Sequence, residues 1–447
     1  MTSDKKTLLR SHGSAGHFLF SKTDTGRLQE VKRKEIIDVD NAIRSAFPDM
    51  RGGSDFIDYA NQQLDALDQF SAMVIGLDQV EKDNDPAQRL EGNDGHVDVA
   101  GILDRLGRKE NCLWGTLEAG FFGAFLPGRN ASDSLELARD FQKRLVEKTG
   151  KTATIGVASF PTITYKKSEI INNARKALDH ASFFGTNSLV AFDDVSLNIS
   201  GDKYYEKGKI QKAINEFNLA LELDPKNVNV HNSLGVCYGL QNHYDLAIAE
   251  FQKAIALDPG EYMALYNLGL VHLFIEQRDR ALEYFLDADK INGNNYEVAF
   301  QTGKLYLETG NFKNCRPYLE RAAELEPESG QAHRYLGDCY AAGRMPEAAI
   351  SAYKKAIKHN PHDGAALSAL GSIFDDQGEN PEITLMFLRE SIAASPENGL
   401  FHHRLGRHFS NQHRLDDALK EFVRAKSLGY DAAEDIKAIK DRKKVKK

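Results

Sequence analysis

The feature that most limits what this chain can become is a ruler of small residues. Gly201, Gly235, Gly269, Gly303, Gly337 and Gly371 each follow the last by 34 residues, and Gly406 follows after a slip of one. Pro225, Pro259, Pro327 and Pro361 keep the same step, with Gly293 standing in for one proline and Pro396 carrying the slip. Ala220, Ala254, Ala288, Ala322, Ala356, Ser391 and Ala425 form a third register. A period near 34 with small residues at set points denotes a repeated unit of two short helices.

The spacing inside one unit shows why. Between His231 and Glu261, Leu234-Gly235 and Tyr238 share one helical face, Gln241-Asn242 break the pattern, and Ala247, Phe251 and Ala254 recur at helical spacing before Pro259. Glycine and alanine sit where two helices cross closely, and the rings fill the space beside them. One such hairpin cannot bury its apolar face alone, so neighbours must stack. This pattern resembles the tetratricopeptide repeat (TPR) family over seven units: 194–227, 228–261, 262–295, 296–329, 330–363, 364–398 and 399–432. The sixth unit carries Thr384 and Ser391 where alanines are usual, and Pro317 interrupts the second helix of the fourth. The resemblance implies an all-α superhelix.

Ahead of the repeats the pattern changes. A polar arm (residues 1–25) and a helix over 28–47 make up a segment 1–48, and a helix follows from Asp55 to Leu67. Strands are expected at Phe70–Leu77, Cys112–Leu117, Phe121–Leu126, Thr152–Phe160 and Ser188–Phe192. Helices are expected at Val97–Leu106, at Ser132–Lys148 with Ser132 or Asp133 as its cap, and at Ser168–Phe184. This alternation predicts an α/β layer with the hairpin in the middle of its sheet.

Several short stretches of this region resemble the GGDEF domain of diguanylate cyclases, over about 49–193. Ala174-Arg175-Lys176-Ala177-Leu178, with Gly185 and Asn187 beyond, follows the family's A-D-x-A-L-Y-x-A-K-x-x-G-x-N. Thr152-Ala153-Thr154-Ile155-Gly156-Val157-Ala158 follows its T-x-S-x-G-x-A strand, and Leu77 to Asp85 and Phe122 to Pro127 resemble two further segments. The family joins two GTP molecules with divalent metal. Its two metal-holding acids fall here on Gly76 and Gly120, and its signature has become Glu118, Ala119, Gly120, Phe121 and Phe122. Glycines cannot hold a cation, and Glu118 would crowd and repel a nucleotide. The product-sensing R-x-x-D motif maps onto Lys109-Glu110-Asn111-Cys112, and neither end survives. The resemblance therefore implies a bacterial signalling domain without catalysis, without metal or other cofactor, and without tight cyclic di-GMP binding. Retained Asp78 and Asn84 support an alternative, a nucleotide sensor for GTP or cyclic di-GMP that regulates the repeats.

Composition narrows the classes. The net charge of −8 argues against a nucleic-acid partner. No apolar run approaches the ~20 residues of a membrane span, and the polar start Met1-Thr2-Ser3-Asp4-Lys5-Lys6 is not a secretory signal. The four cysteines have no C-x-x-C spacing, and Cys237 and Cys339 read as small core residues in a reducing cytoplasm, so no disulfide is expected. Trp114, the sole tryptophan, is either core or an anchor for a partner.

The inner groove of a TPR array is lined by the first helix of each unit. Its lining positions here are Asn198, Asp202, Asn232, Met263, Tyr266, Leu270, Phe300, Lys304, Arg334, Asp338, His403 and Arg407. An exposed apolar centre at Met263, Tyr266, Leu270 and Phe300 with basic groups beyond it suits a protein or peptide segment. No clamp for a terminal carboxylate maps onto these residues. The expected whole is a multidomain chain: an arm at 1–48, a degenerate GGDEF-like α/β domain at 49–193, seven TPR units at 194–432, and a capping helix with a basic tail at 433–447. Its expected job is that of a cytoplasmic scaffold. The α/β domain would then serve as a second docking surface or a homodimerisation unit.

Overall fold

The computed structural model describes residues 41–78, 93–117 and 120–445. The expected helix over 28–47 falls mostly outside them, although residues 41–46 are helical. The chain divides into two compact units, Met1–Pro259 and Gly260–Lys447.

The first unit begins with α1 (Gly53–Leu64), β1 (Phe70–Leu77), α2 (Asn93–Glu110), β2 (Leu113–Thr116), β3 (Phe122–Pro127), α3 (Ala131–Thr149), β4 (Ala153–Phe160), α4 (Ile170–Ala181) and β5 (Leu189–Ala191). The sheet order is β2-β3-β1-β4-β5. β1 runs antiparallel to both β3 and β4, and β5 is parallel to β4. From β1 to β4 this is a split βαβ arrangement. The β2–β3 hairpin therefore lies at one edge of the sheet, not in its middle.

β1 is buried on both faces because its side chains alternate between two cores. Met73 and Ile75 join Val99, Leu103, Phe122 and Phe141 on one side. Phe70, Ala72 and Val74 join Phe56, Phe125, Ile170 and Leu178 on the other. The cap of α3 is Asn130, whose side chain accepts from the Asp133 amide at 2.9 Å, so neither Ser132 nor Asp133 holds that place. Gly150, in the left-handed region at φ 67°, ends the helix. Gly156 lets α4 lie directly on β4, since a Cβ there would stand 2.1 Å from the Leu178 nitrogen.

The first unit does not stop at residue 193. Asp193 caps α5 (Asp194–Glu206) by accepting from the Ser196 amide at 2.8 Å, and its carboxylate also lies 3.2 Å from His180 Nδ1 on α4. Lys176 of α4 reaches Glu216 of α6 (Ile210–Leu223) at 2.7 Å, with both side chains largely buried, and Asp179 pairs with Lys203 at 2.6 Å. The first helix pair is thus fastened to the α/β layer. A second pair, α7 (Val228–Leu240) and α8 (Tyr244–Leu257), completes the unit.

The second unit holds five helix pairs: α9 (Tyr262–Phe274) with α10 (Arg278–Ile291), α11 (Tyr296–Glu308) with α12 (Phe312–Leu325), α13 (Gly330–Ala342) with α14 (Pro346–His359), α15 (Gly364–Gln377) with α16 (Pro381–Ala394), and α17 (Gly399–Asn411) with α18 (Leu415–Ser427). In each pair the ruler glycine of the first helix lies against a large side chain of the second. A Cβ at Gly269 would meet the Phe285 ring at 2.6 Å, and one at Gly337 would meet Tyr353 at 2.6 Å. The closing helix α19 (Ala433–Val445) buries Ile439 and packs Ile436 against Leu405, Phe409 and Phe422.

Cys315 of α12 and Cys339 of α13 form a disulfide, which corrects the reading of Cys339 as an unpaired core thiol. The physical reason is position. The two lie on facing helices of successive repeats, with Cα atoms 6.7 Å apart, within the reach of a disulfide. Cys112 and Cys237 are free and buried, and burial pushes each thiol up to about 12.

Candidate functional site

Two regions were marked out by the sequence, and the structure treats them differently. In the α/β domain, the Phe121 ring fills the space above Gly76, with its Cε1 2.9 Å from where a Cβ would be. On Phe121 also lies the Arg175 guanidinium, 3.6 Å from the ring centroid. The space beside Gly76 is thus filled by an arginine-capped ring. Gly120 has φ 77°, a conformation that suits glycine, and Phe122 is wholly buried in β3. Glu118, Ala119 and Asn84 lie outside the described residues. Asp78 is committed to structure: it accepts from Thr154 Oγ1 at 2.6 Å and from the Asn187 amide at 2.7 Å. Trp114 packs edge-on to Phe47, with ring centroids 5.5 Å apart, as a half-buried part of the core.

In the repeats, the expected apolar lining is mostly not exposed. Tyr266 is 1 % exposed, Leu270 0 %, Phe300 4 % and Asn232 4 %, so these four do not form an open apolar patch. Large rings at the fifth position turn into the packing. Tyr266 lies 5.5 Å from Phe285, and Phe300 stacks on Tyr296 at 5.6 Å and meets Tyr335 edge-on at 5.3 Å. Met263 stays half-buried. Lys304, partly exposed, pairs with Glu308 at 3.8 Å.

The polar lining of the last three repeats comes together. Arg334 of α13 bridges Asp338 (3.4 Å) and Asp363 (3.3 Å) and lies over the Tyr335 ring. Asp363 meanwhile caps α15 through the Ala365 and Ala366 amides. Tyr353 donates to Asp338 at 2.7 Å, and burial raises the Asp338 carboxyl above its ordinary value. On α17, Arg404 donates to Ser368 Oγ at 3.0 Å, and Arg407 one turn on donates to Ser372 Oγ at 2.7 Å and pairs with Asp376 at 3.2 Å. His403 instead turns to Asp435 of α19, at 3.0 Å. Beside the first of these rungs opens a cleft of about 580 Å³, lined by Gln331, Arg334, Ala365, Asn398 and Phe401 among others. Such a face can exchange hydrogen bonds and charge with an extended chain.

Arg404, Ser368 and Ser372 escaped the sequence reading. The signal that could have found Arg404 is its place one turn before Arg407 on the same helix. None of the helices among the described residues is long and apolar enough to cross a membrane.

Comparison with known proteins places repeats along most of the second half. Models described as TPR repeat or tetratricopeptide repeat match residues 201–242, 228–261, 264–295, 300–357 and 340–382. A curated relative, cellulose synthase operon protein C of Xanthomonas axonopodis pv. citri (strain 306), is 32 % identical over 90 residues. That match takes in 20 % of this chain and spans 6 % of the relative. Among solved structures, YrrB, described as a TPR protein with an unusual peptide-binding site, is 24 % identical with a TM-score of 0.39, covering 42 % of this chain and 96 % of its own. PilF of Pseudomonas aeruginosa is 18 % identical with a TM-score of 0.43, covering 46 % of this chain and 94 % of its own.

Proposed function

We propose that this tetratricopeptide-repeat protein is a non-catalytic signalling adaptor, holding a protein or peptide partner on the first-helix face of its later repeats. Its N-terminal α/β domain is a degenerate GGDEF-like domain that serves as a second docking or dimerisation surface in a bacterial cytoplasm. The observation that carries the adaptor reading is the polar face of the last three repeats. There Arg334, Asp338 and Arg407 remain partly exposed, and Arg334 lines an open cleft. For the α/β domain the support is Phe121, which fills the place above Gly76 where the family carries an acid. The sensor alternative loses its best residue, because both oxygens of Asp78 are already engaged.

The test is affinity capture from the source cell, with wild type beside a Lys304→Glu/Arg407→Glu double variant that keeps its helical circular dichroism. A protein retained by wild type and lost from the variant supports the adaptor reading. The same set on both overturns the assigned face. Production of cyclic di-GMP from GTP with magnesium or manganese overturns the reading of the α/β domain.

A further inference from the structure

We infer that the disulfide between Cys315 and Cys339 is a redox latch on the first turn of α12, which unwinds when the bond is reduced. This goes beyond the adaptor reading and does not depend on it. In the other six repeats the small residue at the register of Cys315 is followed by a buried or half-buried aliphatic one: Ile214, Ile248, Leu282, Ile350, Leu385 and Leu419. In the fourth repeat Arg316 takes that place, is exposed, and pairs with Glu320 of its own helix at 3.6 Å. From Phe312 to Pro317, Cys315 is the one buried side chain. The turn therefore buries a single side chain, and that side chain is bonded to Cys339 of α13.

The backbone of the turn is weak as well. Pro317, inside α12, has no N–H, so the Lys313 carbonyl loses its helical donor, and the proline ring crowds that same carbonyl. The cap offsets little of this, since Asn311 Oδ1 accepts from the Asn314 amide at 3.4 Å. An interior proline and a cross-link over this separation have effects of similar size and opposite sign. With the bond in place Cys315 cannot leave α13, and the turn stays helical.

Opening the latch is a two-electron exchange with a dithiol reductant. One reductant thiolate attacks a sulfur of the pair, forms a mixed disulfide and expels the other cysteine as a thiolate. The second reductant thiol then displaces the remaining cysteine. The reductant leaves as a disulfide, and its two protons end on Cys315 and Cys339. Residues 312–316 lose their tether, and with them go the carbonyls of Phe312, Asn314 and Cys315, which accept from Arg316, Tyr318 and Leu319 in a continuous helix. The shortened α12 begins at Pro317, a residue suited to the first position of a helix.

The test is hydrogen exchange of the full-length chain, read by mass spectrometry over residues 310–320 before and after treatment with dithiothreitol. The expected result is about tenfold faster exchange at Arg316, Tyr318 and Leu319 after reduction, with the equivalent turns of α10 and α14 unchanged. Pro317→Ala should keep the turn protected in the reduced protein, because the missing donor returns. A Cys315→Ala/Cys339→Ala double variant should exchange fast with or without reductant, and alanine already stands at the register of Cys315 in Ala281 and Ala349. Unchanged exchange on reduction of wild type overturns the inference without any variant, as does failure of dithiothreitol to open the bond in the folded protein. Faster exchange throughout the second unit, or equal exchange in reduced wild type and reduced Pro317→Ala, also overturns it.

Discussion

Glycine does different work in the two kinds of architecture in this chain. In the repeats, each ruler glycine faces a side chain of its own hairpin: Gly235 faces Phe251 at 2.5 Å, Gly303 faces Leu319 at 2.7 Å, and Gly406 faces Phe422 at 2.8 Å. The residue filling the gap changes among Phe, Tyr and Leu while the glycine stays. In the α/β domain, Gly156 faces backbone: the Leu178 nitrogen at 2.1 Å and the Ala174 oxygen at 2.2 Å. A ring can rotate or be replaced, but two helix backbone atoms can move only if α4 leaves the sheet. The repeats are therefore a tolerant architecture and the α/β layer a strict one.

The largest effect should come from Gly156→Ala. It should cost about 5 kcal/mol or more, at the extreme of single substitutions, because the clash is with the backbone of α4. Trp114 lies in this domain, so its fluorescence during urea unfolding reports the loss directly. An ordinary destabilisation of about 1 kcal/mol would show that the strictness is illusory. Next is Phe285→Ala, at about 3–5 kcal/mol. Phe285→Leu should cost under about 1.5 kcal/mol, because repeats four and six already place Leu319 and Leu388 there. Thermal unfolding followed by far-ultraviolet circular dichroism separates the two, and equal losses would break the contrast.

The disulfide sharpens the comparison in the fourth repeat, where α12 runs through Pro317 rather than being interrupted by it. Cys315 and Cys339 are 24 residues apart, so opening their link should cost about 3 kcal/mol through the freedom of the unfolded chain. Denaturation with and without a dithiol reductant measures it, with Cys315→Ser as control. Alkylation of both thiols in native, unreduced protein would overturn the expectation.

The smallest effect is on pH. His231 and His402 occupy equivalent places in repeats two and seven. Each bonds a proline carbonyl through Nε2 and a glutamate through Nδ1, at 2.6 Å to Glu250 and 2.7 Å to Glu421. His333 in repeat five bonds the Pro327 carbonyl, but residue 352 is alanine and its Nδ1 has no partner among the described residues. Burial holds His333 below its ordinary value of 6.5, and His272 likewise. The folded state therefore favours the neutral ring, and the unfolded state takes up the proton first on acidification. The associated stability is full above pH 6.5 and falls away as pH drops through and below it. His333→Gln should flatten the slope of melting temperature between pH 7 and pH 5.5, and an unchanged slope would count against it.

How much was legible follows the same division. The repeat helices could be read because each role is written seven times, so one substitution such as Ser391 for alanine leaves the register intact. The strands could be read from apolar runs such as Phe70–Leu77, but their order could not. The edge position of the β2–β3 hairpin depends on pairings between residues as distant as Phe70 and Pro127. The groove was the least legible part. A periodic position says that Tyr266 and Phe300 lie on the first helix, but only packing says that their rings turn inward. Arg404 was hidden for the converse reason, since its bond to Ser368 exists only once α15 and α17 are side by side.

By itself the sequence determined the repeat architecture and the absence of a side chain at Gly76 and Gly120. Local spacing sets helical faces, and a glycine has no side chain in any fold. Only the tertiary structure decided that the first helix pair is fastened to the α/β layer through Lys176 and Glu216. It alone joined Cys315 to Cys339 and set Arg404 against Ser368. Each of these depends on distances between residues far apart in the chain, and such distances appear only when the helices pack.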